Sequence, residues 1–310
     1  MNRRGALSIL IGSTATVAMG GCLHGAREEL SQPALAVTLD DFDISDTPLL
    51  SGAARHEAIL TALRRHNIQA AGLVTGKNAD TPSGHKYLAQ WSDAGHTIGN
   101  HTYSHPYSSG SNVEAFLADL LRAEAVLSRY DGYQKIFRFP YLSEGRTSEG
   151  RDEMRRLLRQ HGYQNAHVTI DTSDWYVNDR LVRRLRADPT SDVEEYRRYY
   201  LDHLWDRSNY YDGLHRTLFG TSAVHTILLH HNLASGLFLD EALSMFVARG
   251  WRLVDATEAF AEPLYQHSPN VLPAGQSLLW SLAKQRGGIA LREPGENDVY
   301  EKPEMDRLGL

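Results

Sequence analysis

One cysteine in 310 residues excludes a disulfide framework and any cysteine-rich zinc module. No run of apolar residues is long enough to cross a bilayer comfortably. No long basic run is present either, and the formal net charge is −6. Nucleic-acid binding is therefore disfavoured, because neutralising phosphates needs clustered Lys and Arg. Internal repeats and low-complexity segments are also missing. What remains is a folding chain, 42% hydrophobic, with material for one large domain or two ordinary ones.

The first 22 residues form a separate object. Arg3 and Arg4 precede the short apolar stretch "GALSILIGSTATVAMGG", which ends at Cys22. A basic start, a short apolar core and small residues before a break describe an export signal. "AMGGC" resembles a bacterial lipobox, with Met19 where Leu is usual, so the expectation is an exported protein lipid-anchored at Cys22. Ordinary secretion, a twin-arginine signal and a buried N-terminal helix are weaker readings. Residues 23–34 read as a polar tether.

From residue 35 onward, strand-like runs alternate with helix-like ones. Strands are expected at 35–40, 69–75, 96–101, 135–141, 165–171, 225–231 and 251–256. Between them lie stretches such as "RHEAILTALRRHN" and "LDEALSMFVARG", with apolar residues at three- and four-residue spacing. Buried Val/Ile/Leu-rich strands separated by helices imply a parallel sheet covered by helices. The fold class is α/β, a distorted (β/α) barrel with about seven parallel strands. Residues 35–260 would form the catalytic domain, with a helical insertion at 176–220. A C-terminal extension at 261–310 has "SLLWSLAKQRG" as its one expected helix.

The strand ends carry the chemistry, as barrels of this kind build sites at their carboxyl face. The first strand ends in Asp40 and Asp41, and the third in His101, with His105 four residues on. An i, i+4 histidine pair would lie on one face of a helical turn, supplying two nitrogens of a catalytic metal site. A carboxylate elsewhere would have to complete it. The fourth strand ends in Arg138, Pro140 and Tyr141; the fifth in Asp171, followed by Asp174 and Trp175; the sixth in His230 and His231. Adjacent strand residues point to opposite sides, so Asp40 and Asp41 can share a site only where the backbone turns.

In their order and spacing, "TLDD" (38–41), "HTYSH" (101–105), "RFPY" (138–141), "DTSDW" (171–175) and "ILLHH" (227–231) resemble the five motifs of the polysaccharide deacetylases with NodB homology. The resemblance covers roughly residues 35–258. It implies a metal-dependent hydrolase that removes acetyl groups from a polysaccharide. It further implies Asp41, His101 and His105 as ligands of one divalent ion, Zn²⁺ being the one expected, and Asp40 as general base. Arg138 would orient Asp40, and the backbone N–H of Tyr141 would face the developing oxyanion. His230 is the candidate general acid, its ring held by Asp174 or, in competition, Asp171. No organic cofactor is required.

One departure stands out: the family usually has glycine after its aspartate pair, and this chain has Phe42. Phe42 and Trp175 are expected to line the substrate groove, and His231 to be structural or at the rim. The expected partner is an acetylated polysaccharide, N-acetylated or O-acetylated, of the cell envelope or outside the cell. Two other classes fit the scaffold, a hydrolase of small cyclic amides or imides and a non-catalytic glycan binder. The export signal argues against the first. The complete set of acid, base and ligands argues against the second.

Overall fold

The computed structural model describes residues 32–294 and 299–310. The expected signal at 1–22 lies outside them, as does most of the tether. Seven parallel strands form one curled sheet, a half-barrel: β1 (Ala34–Asp41), β2 (Ala71–Val74), β3 (Thr97–Asn100), β4 (Tyr133–Phe137), β5 (Gln164–Asn165), β6 (Val224–His230) and β7 (Arg252–Leu253). The strand order is β5-β4-β3-β2-β1-β6, and β7 pairs the start of β1 at Ala34 and Leu35. Seven of the eight β1 residues are buried, as a central parallel strand covered on both faces requires.

Two strands are shorter than their sequence patterns suggest. In the run 165–171 only the first residue continues β5, because the segment changes partner. Ala166 N–H donates to Phe137 O at 2.7 Å, but Ile170 N–H, farther along, donates to Thr226 O at 3.0 Å on β6. The segment thus reaches from one side of the curl to the other. β7 stops at Leu253, and helical structure resumes at Ala256.

The helices in chain order are α1 (Gly52–Arg65), α2 (Gly76–Ala79), α3 (Pro82–Asp93), α4 (Val113–Leu127), α5 (Ser148–Gln160), α6 (Asp174–Ala187), α7 (Glu194–Phe219), α8 (Leu233–Ala248), α9 (Ala256–Ala261), α10 (Leu278–Arg286) and α11 (Glu301–Leu308). Local chemistry starts them. Ser51 caps α1 by accepting from Ala54 N–H, Thr81 caps α3 ahead of Pro82, and Asn232 caps α8 through Ser235 N–H. Helix α10 is the one expected from the sequence, whereas α11 carries no comparable signal. Neither is an appendage, since Leu279, Trp280, Met305 and Leu310 belong to the main hydrophobic core.

Candidate active site

The carboxyl ends of β1, β3, β4 and β6 lie close together. Asp40 and His230 are register partners across β1 and β6, so both project from the same face of the sheet. Beyond Asp40 the chain turns at once. Phe42 N–H donates to Asp40 O at 2.9 Å, and Asp41 takes a φ of 70°. This tight three-residue turn is the departure from strand geometry that lets adjacent aspartates serve one site. Asn78 Nδ2 fixes it from outside by donating to Asp41 O at 2.9 Å.

His101 and His105 are not on a helical turn, contrary to the expectation from their spacing. Residues 101–107 form a loop, with positive φ at Thr102 and His105. Side chains take the bonds a helix would have used. Asn100 Oδ1 accepts from Thr102 N–H, Thr102 Oγ1 from His105 N–H, and Asp119 Oδ2 from the N–H groups of Tyr103 and Ser104. The loop still brings both imidazoles to Asp41. Its Oδ1 lies 3.3 Å from His105 Nε2 and 3.7 Å from His101 Nε2.

This donor set fits a divalent ion. Ligand atoms about 2.0–2.2 Å from a tetrahedral Zn²⁺ lie about 3.3–3.6 Å apart, close to the two separations just given. Among the described residues, one donor atom from each of Asp41, His101 and His105 falls within 4.8 Å of the other two. His101 Nδ1 lies 2.8 Å from Arg138 O, which can only accept, so its proton sits there and the Nε2 lone pair is free. Burial, with His101 beside it, pushes His105 down to about 4, leaving a neutral imidazole. Burial would raise the Asp41 carboxyl, but His230, His101 and His105 together hold it below its ordinary range.

Two supporting pairs flank this centre. Arg138, fully buried, donates through Nη1 to Asp40 Oδ1 at 2.6 Å and Thr38 Oγ1 at 2.8 Å, and through Nε to Ala166 O at 2.9 Å. Asp40 Oδ2 is left 3.8 Å from His101 Nε2. Of the two carboxylates considered for His230, Asp174 is the one that touches it. Asp174 Oδ1 lies 2.7 Å from His230 Nδ1, while Oδ2 accepts from His230 N–H at 2.9 Å and from Asn232 Nδ2 at 3.0 Å. Burial alone would lower His230, but Asp174, with Asp41 and Asp40 farther off, raises it to about 10. Asp171 instead lines the cavity, and burial lifts its carboxyl to about 7.

The metal-ligand candidates, Asp40 and His230 open on one cavity of about 550 Å³, lined also by Tyr141, Trp175 and Leu228. Tyr141 is 63% exposed and Trp175 42%, so both present rings at the rim. Tyr141 holds a φ of 56°, which only a well-supported non-glycine residue sustains. Phe42 does not line the groove, in contrast to the expectation from its place beside Asp41. Its φ of 52° turns the ring inward, where it is fully buried against His231, His56 and Trp91. His231 is buried with it, its Nε2 lying 3.2 Å from His56 Nδ1 and its Nδ1 donating to Asp43 O at 2.8 Å. Gln276 and Pro294 also line the cavity, and sequence reasoning misses them. Both come from the C-terminal extension, beyond the last motif, and no local pattern marks them.

Residues 27–166 match the family model described as "Polysaccharide deacetylase". Over those residues, just under half of its length, the chain is similar to the polysaccharide deacetylases. A peptidoglycan-N-acetylglucosamine deacetylase of Bacillus cereus is 31% identical over 144 residues, 46% of this chain and 46% of that protein. A chitin deacetylase of Colletotrichum lindemuthianum is 27% identical over 195 residues, 58% of this chain and 74% of its own. The match thus spans about half the length of the first relative. A solved peptidoglycan deacetylase of Bacillus subtilis shares the fold, with a TM-score of 0.50 at 21% identity over 74% of this chain and 90% of the other. The α/β fold with about seven parallel strands, expected from the alternation of strand-like and helix-like runs, is thus present as a half-barrel and shared with that structure.

Proposed function

We propose that this protein is a metal-dependent hydrolase that removes acetyl groups from a cell-envelope or extracellular polysaccharide. The meeting of Asp40, Asp41, His101, His105 and His230 on one cavity is the observation that supports this most strongly. Asp41, His101 and His105 would hold the ion, Zn²⁺ by its donor set, whose charge would polarise the acetyl carbonyl and acidify water.

The chain's own groups supply the remainder. Asp40, oriented by the Arg138 guanidinium, takes the proton of the attacking water. The Tyr141 N–H meets the oxyanion as charge develops, a contact worth roughly 3 kcal/mol when lost. His230, its cationic form favoured by Asp174, passes its proton to the departing sugar nitrogen. Acetate and a free amine result, or a free hydroxyl from an O-acetyl ester. The exposed rings of Trp175 and Tyr141 offer flat apolar faces for pyranose rings at the rim.

Arg3, Arg4 and the apolar stretch ending at Cys22 support export with a lipid anchor at that cysteine, which suits a polymer outside the cytoplasm. No described helix is long and apolar enough to cross a membrane. Acetate release from acetylated glucosamine oligomers, abolished by chelator and restored by Zn²⁺, tests the reading. Asp40→Asn should keep its metal and lose nearly all turnover. Turnover of a cyclic imide with no glycan cleaved would select the small-amide reading instead.

A further inference from the structure

Helix α7 and the C-terminal helix α11 bury a charged cluster that the proposed reaction does not use. His203 and Arg207 of α7 and Glu301 of α11 are all at most 7% exposed. Arg207 Nη2 donates to Glu301 Oε1 at 2.6 Å, and His203 Nδ1 lies 3.4 Å from the same oxygen. On its other side His203 Nε2 accepts from Ser173 N–H at 3.0 Å. That bond fixes the tautomer: Nε2 carries the lone pair, so the proton sits on Nδ1, facing Glu301.

Ser173 immediately precedes Asp174, the carboxylate that grips His230. The Ser173 carbonyl also accepts from Tyr176 and Val177 N–H, so both sides of this peptide position are tied. A continuous set of contacts therefore runs Glu301–His203–Ser173–Asp174–His230. Helix α11 holds α6 directly as well. Arg180 Nη1 donates to Asp306 at 2.7 Å, and the guanidinium groups of Arg180 and Arg184 reach the carbonyls of Leu310 and Gly309.

As a source of stability the cluster is poorly made. Among the described residues, Arg207 Nε and Nη1 and Glu301 Oε2 have no hydrogen-bond partner. Buried ion pairs seldom surpass well-packed apolar side chains of equal volume. Geometry is what this one supplies. We infer that Glu301, acting through His203, is a positioning residue for Asp174 and hence for the proton donor His230. Residues 299–310 are then part of the catalytic unit. The inference rests on His230 being the acid.

His203→Leu orphans the buried Ser173 N–H, whereas His203→Gln places a side-chain oxygen near the former Nε2. Both are assayed in the full-length, Zn²⁺-loaded protein, with acetylated glucosamine tetramer as substrate. His203→Leu should lower kcat roughly 10-fold, the scale of losing a bond to a buried group. KM should stay within about twofold and metal content should not change, since the lesion touches neither ligand nor groove. His203→Gln should recover most of kcat. An unchanged kcat in His203→Leu, a loss confined to KM, or no better turnover with Gln than with Leu would overturn the inference.

Should His203→Leu fail to fold, Glu301→Gln keeps shape and an acceptor oxygen. It should lower kcat about threefold at constant KM, and an unaltered kcat would again overturn the inference. His230→Ala is measured alongside. Near-complete loss there, with His203→Leu unaffected, removes the positioning role alone. Full turnover in His230→Ala removes the acid assignment and the inference with it.

Discussion

Asp174→Asn separates the electrostatic role of this carboxylate from its shape. In the native protein His230 Nδ1 lies 2.7 Å from Asp174 Oδ1, and the imidazolium is favoured up to about pH 10. Asparagine can keep the bonds from His230 N–H and Asn232 through its oxygen, which leaves its NH₂ facing Nδ1. A donor there opposes protonation of that nitrogen, so the value falls at least to the ordinary 6.5 or so. At pH 8 a group titrating near 10 is almost fully protonated, whereas one titrating near 6.5 is protonated in only about 3% of molecules. The variant should therefore lose at least about 30-fold in kcat/KM at pH 8 and far less at pH 6. A bound cation lowers both values together, so the separation between the two alkaline limbs is the quantity to read. Acetate release measured from pH 5.5 to 10 supplies it. Parallel profiles, with the same loss at every pH, would show that Asp174 does not set the proton affinity of His230.

Two other groups around the site lend themselves to tests. Asp171 is a buried carboxyl raised to about 7 from an unfolded value near 3.8, so between those values the folded protein holds a proton that the unfolded chain has released. Its effect on stability is most favourable below the lower value and declines as pH rises to 7. Metal-free Asp171→Asn, which cannot ionise, should gain Tm relative to wild type on going from pH 5 to pH 8. A constant difference would rule out the shift. Phe42→Ala removes a fully buried ring beside the Asp41 turn and should cost about 3–5 kcal/mol in urea unfolding. A cost below about 1 kcal/mol would show that the inward ring does not hold the turn.

Much of the architecture is legible in the sequence because it rests on burial patterns. β1 reads from its run of apolar residues, and the outer helices from apolar positions three and four apart. The patterns at β5 and β7 run longer than the strands, because each has only two residues of pairing and the chain beyond β5 crosses to β6 by long-range bonds. Strand ends locate the site, since parallel strands deliver their carboxyl termini to one edge. The His101 to His105 spacing suggests a helical turn, yet Asn100, Thr102 and Asp119 side chains win those backbone groups and make a loop. Adjacency to Asp41 suggests a groove position for Phe42, but a positive φ decides which way a ring faces, and composition does not show it. The link from Glu301 to His203 joins positions far apart in the chain. Only the packing of α11 on α6 and α7 reveals it.

Convergence of Asp41, His101 and His105 on a single cation underlies every catalytic role assigned above. Calorimetric titration of the chelator-treated protein with Zn²⁺ tests it without any substrate. The wild type should bind one equivalent, with binding weakened at least ~100-fold in each of Asp41→Asn, His101→Ala and His105→Ala and preserved in Asp40→Asn. Unaltered affinity in all three ligand variants, or loss in Asp40→Asn alone, would contradict that convergence.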